Sequence, residues 1–129
     1  MQMRDMIRLL EASQPTAEAM IEAFEDALYQ RPDLSDVSVS LHVDTRYPDA
    51  VELSLIRTKP GHRRRGSGSK AMALLCDIAD QYGVTLTLGV ADDATSRQEG
   101  LSTEELHDWY TRWGFEGGMS MRRYPDEPR

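Results

Sequence analysis

The sequence predicts a single α/β domain, because strand-like alternation and helix-like periodicity take turns along a chain of 129 residues. That length is enough for one hydrophobic core and too short for two. A glycine- and serine-rich stretch, Gly66-Ser67-Gly68-Ser69, lies between a strand pattern and a helix pattern. Backbone N–H groups can gather around a phosphate at such a junction. No internal repeat or low-complexity segment interrupts this order.

Met3, Met6, Ile7 and Leu10 recur at helical spacing, and Pro15 breaks that pattern before a second helix expected over about Thr16 to Gln30. Its core face is Met20, Ile21, Phe24, Ala27 and Leu28. Val37, Val39, Leu41 and Val43 then alternate with polar residues, the period of a strand with one buried face. After a turn at Tyr47-Pro48-Asp49, Val51 to Arg57 repeats that pattern. The short connection predicts an antiparallel hairpin with Val51, Leu53 and Leu55 on one face. Gly66 to Tyr82 reads as a heavily buried helix carrying Ala71, Met72, Leu74, Leu75, Ile78 and Ala79, and Gly83 ends it. Val84 to Val90 is a third strand, followed by a polar loop over about Asp92 to Leu101. Ser102-Thr103-Glu104-Glu105 is a capping box that starts a helix ending near Trp113-Gly114. Phe115 to Tyr124 gives a last strand and Pro125 to Arg129 a frayed tail.

Fifteen Lys and Arg against 22 Asp and Glu give a net charge of -7, which disfavours nucleic acid as a partner. An acidic surface with one basic loop suits a small polyanion at the loop and cationic partners elsewhere, such as amines or Lys-bearing proteins. The single cysteine, Cys76, excludes an intrachain disulfide and falls in an apolar helix, where an inert core thiol is expected. No apolar run approaches a membrane span or a signal peptide, so a cytoplasmic setting is expected. A homodimer is compatible with these features.

Three phosphate-binding patterns compete for the basic loop. Gly61 and Gly66 have P-loop spacing, but Ser67 stands where the lysine is required. Gly66-Ser67-Gly68-Ser69-Lys70-Ala71 matches a dinucleotide fingerprint, yet the strand should end near Arg57, well before the first glycine. The third pattern takes the segment from Leu55 to Ser69, in which Arg63, Gly66 and Gly68 follow Arg-x-x-Gly-x-Gly and Pro60 stands three residues before the arginine. This resembles the phosphate-binding motif of the GNAT family of acyl-CoA-dependent N-acetyltransferases. Downstream, Trp109, Tyr110, Gly114 and Phe115 are similar to that family's aromatic-Tyr-x-x-x-Gly-Phe motif.

The resemblance covers about Val51 to Tyr124 and implies a GNAT fold over residues 1–129, a mixed central sheet with helices on both faces. It implies acetyl-CoA as co-substrate, no metal, and an amine acceptor, either a small amine or a protein lysine or N-terminus. Only two strands precede the loop where fuller members have more, and Thr103 replaces a frequent Asn. Compact domains of this kind are familiar in bacteriophages, which would place such a member in a host cytoplasm. A non-catalytic module that binds CoA, or that binds and blocks a protein partner, is the rival reading.

By the same resemblance, backbone groups of Ile56 and Thr58 pair with the pantetheine arm where two parallel strands splay. The side chains of Arg63, Arg64 and Arg65 and the turn formed by Gly66, Ser67, Gly68 and Ser69 hold the phosphates. Glu52, eleven positions ahead of Arg63, matches the base of histone-acetyltransferase-like members; the plain alternative is a polar-face residue of an alternating strand. His42, adjacent across the hairpin, is a further candidate base; the plain alternative is a solvated strand histidine. Tyr110 matches the family's general acid, a phenol near pKa ~10 that keeps its proton at neutral pH; its alternative is an aromatic core residue.

Overall fold

A computed structural model describes residues 15–59, 66–90 and 102–126. Helix α1 (Pro15–Tyr29) and a 3-10 turn (Pro32–Leu34) lead into strands β1 (Val37–Val43) and β2 (Ala50–Thr58). Helix α2 (Ser67–Tyr82), strand β3 (Thr85–Gly89), helix α3 (Thr103–Arg112) and strands β4 (Glu116–Gly117) and β5 (Ser120–Arg123) follow. The helix expected around Met3 to Leu10, the side chains of Arg63 to Arg65 and the polar loop before Ser102 lie outside the described residues.

The strands form one mixed sheet in the order β1-β2-β3-β5-β4. β1 and β2 are antiparallel, as the hairpin predicts, β2 and β3 are parallel, and β5 runs antiparallel to both of its neighbours. A parallel pair needs a long crossover, and α2 supplies it.

Alternation on β1 holds from Val37 to Val43, but β2 departs from it. Ser40 pairs with Leu55 while Leu41 pairs with Leu53, so Ser54 is an extra residue in β2. Its hydroxyl donates to the Ser40 carbonyl at 3.2 Å. Val51 and Leu53 before this bulge, and Ile56 and Thr58 after it, are buried. Leu55, expected beside Val51 and Leu53, is moved to the other face and only half-buried, because one inserted residue reverses the alternation.

The core lies between one sheet face and the helices. Met20 and Phe24 of α1 and Met72, Leu75 and Ala79 of α2 join Val51, Leu86 and Leu88 in a single buried cluster. Full burial of a side chain the size of Leu or Phe contributes about 1.5–3 kcal/mol. Ala17 belongs to this core although its small size gave no signal, whereas Ile21, Ala27 and Leu28 are only partly buried. α1 packs directly on α2. Leu106 and Tyr110 of α3 join the same cluster, so all three described helices contribute to it.

α2 ends where Gly83 takes a left-handed φ of 66°, and the Val84 N–H returns to the Ala79 carbonyl at 2.9 Å. At the start of α3, Ser102 Oγ accepts the Glu105 N–H at 3.0 Å and Glu105 Oε1 accepts the Ser102 N–H at 3.2 Å, the expected capping box. The single last strand expected from Phe115 to Tyr124 is instead a hairpin. Gly117 has φ 123°, and an added Cβ there would lie 2.4 Å from the Ser120 carbonyl oxygen, so only glycine lets the chain fold back.

Arg123 on β5 ties these parts together. Its guanidinium makes two hydrogen bonds to the Asp80 carboxylate on α2, at 2.8 and 3.0 Å, and a third to the Trp113 carbonyl at the end of α3, at 2.9 Å. Although burial opposes it, this partner holds the Asp80 carboxyl below its ordinary range. The Asp126 N–H also donates to Asp80 at 3.0 Å, so the expected tail is held at its first residues. Removing one partner of this partly buried pair strands the other charge. Asp80→Ala should therefore lose about 3 kcal/mol in urea unfolding, and Asp80→Ala combined with Arg123→Met should lose less; equal losses would contradict this account.

Candidate functional site

The site begins where β2 and β3 part. They pair only through Ala50 with Thr85, Val51 with Leu86 and Glu52 with Thr87. β2 then continues to Thr58 alongside β1, while β3 continues toward Gly89 alongside β5. A V-shaped opening results, with the Glu52–Thr87 pair at its vertex. Ile56 and Thr58, both buried, lie on its β2 side.

The open end of the V leads to the start of α2. Gly66, the residue before the helix, has φ 76°, a left-handed turn that a side chain would strain. The first N–H groups of α2 have no acceptor within the helix and carry its partial positive charge. An added Cβ at Gly68 would meet Thr58 Oγ1 at 3.5 Å, an ordinary contact, so protein packing does not demand glycine there. Close approach of a ligand to the backbone would. Ser67, expected among the phosphate-binding groups, is buried, and its hydroxyl donates to Asp36 Oδ2 at 3.0 Å. The Lys59 N–H donates to the Asp36 carbonyl at 2.7 Å. Asp36 thus joins the start of β1, the end of β2 and the first turn of α2. Ser69 is exposed at the same turn.

Glu52 projects to the face opposite Val51 and Leu53 and is half-buried, beside His42 in the β1–β2 register. Arg46 Nη2 approaches its Oε2 at 3.4 Å. The same guanidinium makes two bonds to Asp44, at 3.0 and 2.8 Å, and the buried Thr87 hydroxyl donates to Asp44 Oδ2 at 2.7 Å. The Arg46 guanidinium is the main reason that the Asp44 carboxyl sits far below its ordinary range; burial opposes this, and the Thr87 hydroxyl and the Arg46 N–H assist it. Asp44 in turn raises the Arg46 guanidinium.

Tyr110 is buried on the helix side, in the same cluster as Leu86 and Leu88. Its ring stands 5.3 Å from Trp109 and 5.6 Å from Phe115. The Gly-Phe of its motif has a local cause. Gly114 takes φ 94° after the last turn of α3, which directs Phe115 into the core. The structure therefore brings Thr58, Ser67 and Gly68 together and sets Glu52 beside His42 and Arg46. Glu52 and Tyr110 belong to opposite faces of the sheet. Cys76 is buried, and burial pushes its thiol up to about 11, so it stays protonated and unreactive at neutral pH.

Asp36, Asp44, Arg46 and Arg122 were not singled out by sequence. The only local signal is the Asp44-Thr45-Arg46 spacing just after a strand, a pattern common in ordinary turns. Among the described residues no group of three His, Cys, Asp or Glu side chains is placed to hold a metal ion, and no helix is long and apolar enough to cross a membrane.

The buried Asp44 has a consequence for pH. A folded carboxyl pKa below the ordinary value of ~3.9 stabilises the fold fully above that pH and loses the effect as pH falls toward the folded value. Asp44→Asn should cost about 2 kcal/mol at pH 7 in denaturant unfolding, a charged hydrogen bond having been lost. The gap between wild type and variant should shrink as the pH is lowered below ~4. A gap independent of pH would contradict the assignment.

A family model described as Acetyltransferase (GNAT) family matches residues 28–115. No curated relative and no solved structure matches the chain. The matched span runs from the end of α1 to the Phe115 that closes the tyrosine motif and includes the parting strands and the turn into α2; over more than half of its length, then, the chain belongs to the GNAT family of acetyltransferases.

Proposed function

We propose that the chain is an N-acetyltransferase that moves an acetyl group from acetyl-CoA to an amine, either a small amine or a protein lysine or N-terminus. The observation that carries this reading is the opening between β2 and β3, which leads to the glycine turn before α2. A pantetheine arm is shaped like an extended peptide. It would run along the backbone of Ile56 and Thr58, on the β2 side of that opening. The turn from Gly66 to Ser69 and the N-terminus of α2 would take the pyrophosphate, with Arg63, Arg64 and Arg65 as counter-charges. Ser67 would contribute its N–H there, since its hydroxyl is engaged by Asp36.

The chemistry is direct attack. An alkyl amine with pKa ~10.4 is protonated at pH 7, and freeing its lone pair costs about 4–5 kcal/mol. Glu52, at the vertex of the opening, is the base that would take this proton, with His42 adjacent to it. The amine nitrogen bonds to the acetyl carbon, the carbon–sulfur bond breaks, and the departing thiolate takes a proton from the Tyr110 hydroxyl; the second proton shed by the acylated nitrogen restores the phenol by way of solvent, and Glu52 releases the first to solvent. Transfer from a phenol near ~10 to a thiolate near ~8.5 is uphill by about 2 kcal/mol, which requires the phenol to be held close to the sulfur. Burial of Tyr110 among Trp109, Phe115 and the core suits such fixed placement.

Saturating acetyl-CoA should raise the melting temperature, since ligand at 100 times Kd stabilises by about 2.7 kcal/mol. No shift would contradict the cofactor assignment. Tyr110→Phe should lower kcat by about 10²-fold and leave acetyl-CoA affinity unchanged; an unchanged kcat would remove the general-acid role. If acetyl-CoA binds but no amine or lysate ever releases free CoA, a binding module becomes the better account.

A further inference from the structure

The register places one side chain from each of the five strands in a single row across the sheet. His42 faces Glu52, Glu52 faces Thr87, Thr87 faces Arg122, and Arg122 faces Glu116. Residues directly paired across strands share a face. This face is opposite Val51, Leu86 and Met121 and therefore opposite the core described above. The row also crosses the sheet at the last β2–β3 pair, the vertex of the opening.

The charges along the row are unequally satisfied. Arg46 is committed to Asp44 by two short bonds and reaches Glu52 only at 3.4 Å. Arg122 is exposed and makes no ion pair among the described residues. Its guanidinium lies 4.7 Å from the centre of the Tyr47 ring, and that of Arg46 lies 5.6 Å from the same ring. Tyr47 thus holds the Arg122 guanidinium over the row without neutralising it. Two strand spacings, about 10 Å, separate the backbones of Glu52 and Arg122, with the buried Thr87 between them, its hydroxyl bonded to Asp44. A carboxylate on one side and an unneutralised guanidinium on the other form a bipolar site beside the place where the thioester is proposed to lie.

From this row we infer that the acetyl acceptor is an amine that also carries a carboxylate, a free amino acid or a close analogue. Its amine meets Glu52, and its carboxylate forms a two-pronged bond to Arg122. The inference rests on the acetyltransferase reading above and narrows its acceptor. The net charge of the chain points to cationic acceptors, but a ligand meets the local arrangement of charge, and here that arrangement has both signs. A planar guanidinium matches a carboxylate in geometry as well as charge.

The experiment offers free amino acids, their amides and linear diamines to the protein with acetyl-CoA and follows release of free CoA. The wild type should favour amino acids over their amides by about ten- to hundredfold in kcat/KM, the range expected of one charge-assisted contact. Arg122→Ala should raise KM for the amino acid by about tenfold or more, with kcat and the Kd for acetyl-CoA unchanged. Arg122→Glu should shift the preference toward diamines, and Arg122→Lys should restore part of the loss. Equal use of amides or diamines by the wild type, or an Arg122→Ala variant with unchanged discrimination, would overturn the proposal. The two readings separate in the binding step. Acetyl-CoA bound, with turnover only of amines lacking a carboxylate, overturns this proposal alone; acetyl-CoA not bound at all overturns the acetyltransferase reading and this proposal with it.

Discussion

β2 pairs with β1 along its whole length and with β3 over three residues only, and the rest of the site follows from that inequality. Had the parallel pair continued, the backbones of Ile56 and Thr58 would have met β3 as ladder partners and left no room between the strands. The bulge at Ser54 works in the same direction. It reverses the alternation of β2 midway, so that Val51 and Leu53, and then Ile56 and Thr58, all turn toward the helices. A bulge bends its strand and increases local twist. β2 can therefore stay packed on α1 and α2 while its far end swings from β3 toward the turn at Gly66. Asp36 secures that far end through Ser67 and the Lys59 N–H, and Arg123 secures the far side of the sheet to α2 and α3.

Much of the fold was legible because long amphipathic patterns report burial directly. The valines of β1, the apolar spread of α2, Gly83 at its end and the Ser102 capping box each act through a local rule, and each stands as expected. Non-local features were not legible. Nothing in Val51 to Arg57 announces that Ser54 is an extra residue, since a bulge is defined by the partner strand. The hairpin after Phe115 did leave a signal in Gly117-Gly118, but two glycines also fit the loose end of a strand. Ala17 was missed because a methyl group carries little pattern.

The site divides in the same way. Its motifs could be read as spacing, and the structure gives two of them local causes: a left-handed turn at Gly66 and a helix end at Gly114 that drives Phe115 into the core. The face that Glu52 looks onto could not be read. Asp44, Arg46, Tyr47, Thr87 and Arg122 come from separate segments, and only the sheet register assembles them. A composition summed over the surface reports an acidic chain, whereas this face carries two arginines stacked on one tyrosine beside a carboxylate. Those residues give the proposed base a structured setting, with an ion pair on one side and a histidine on the other.

As proposed, acetyl-CoA lies between β2 and β3 with its phosphates at the start of α2. Amide hydrogen exchange with and without acetyl-CoA tests this most directly. Protection should appear at Leu53 to Thr58 and at Gly66 to Lys70, the two sides of one opening. Protection confined to the groove beside Tyr29 and Pro32, between the end of α1 and the start of β1, would contradict it.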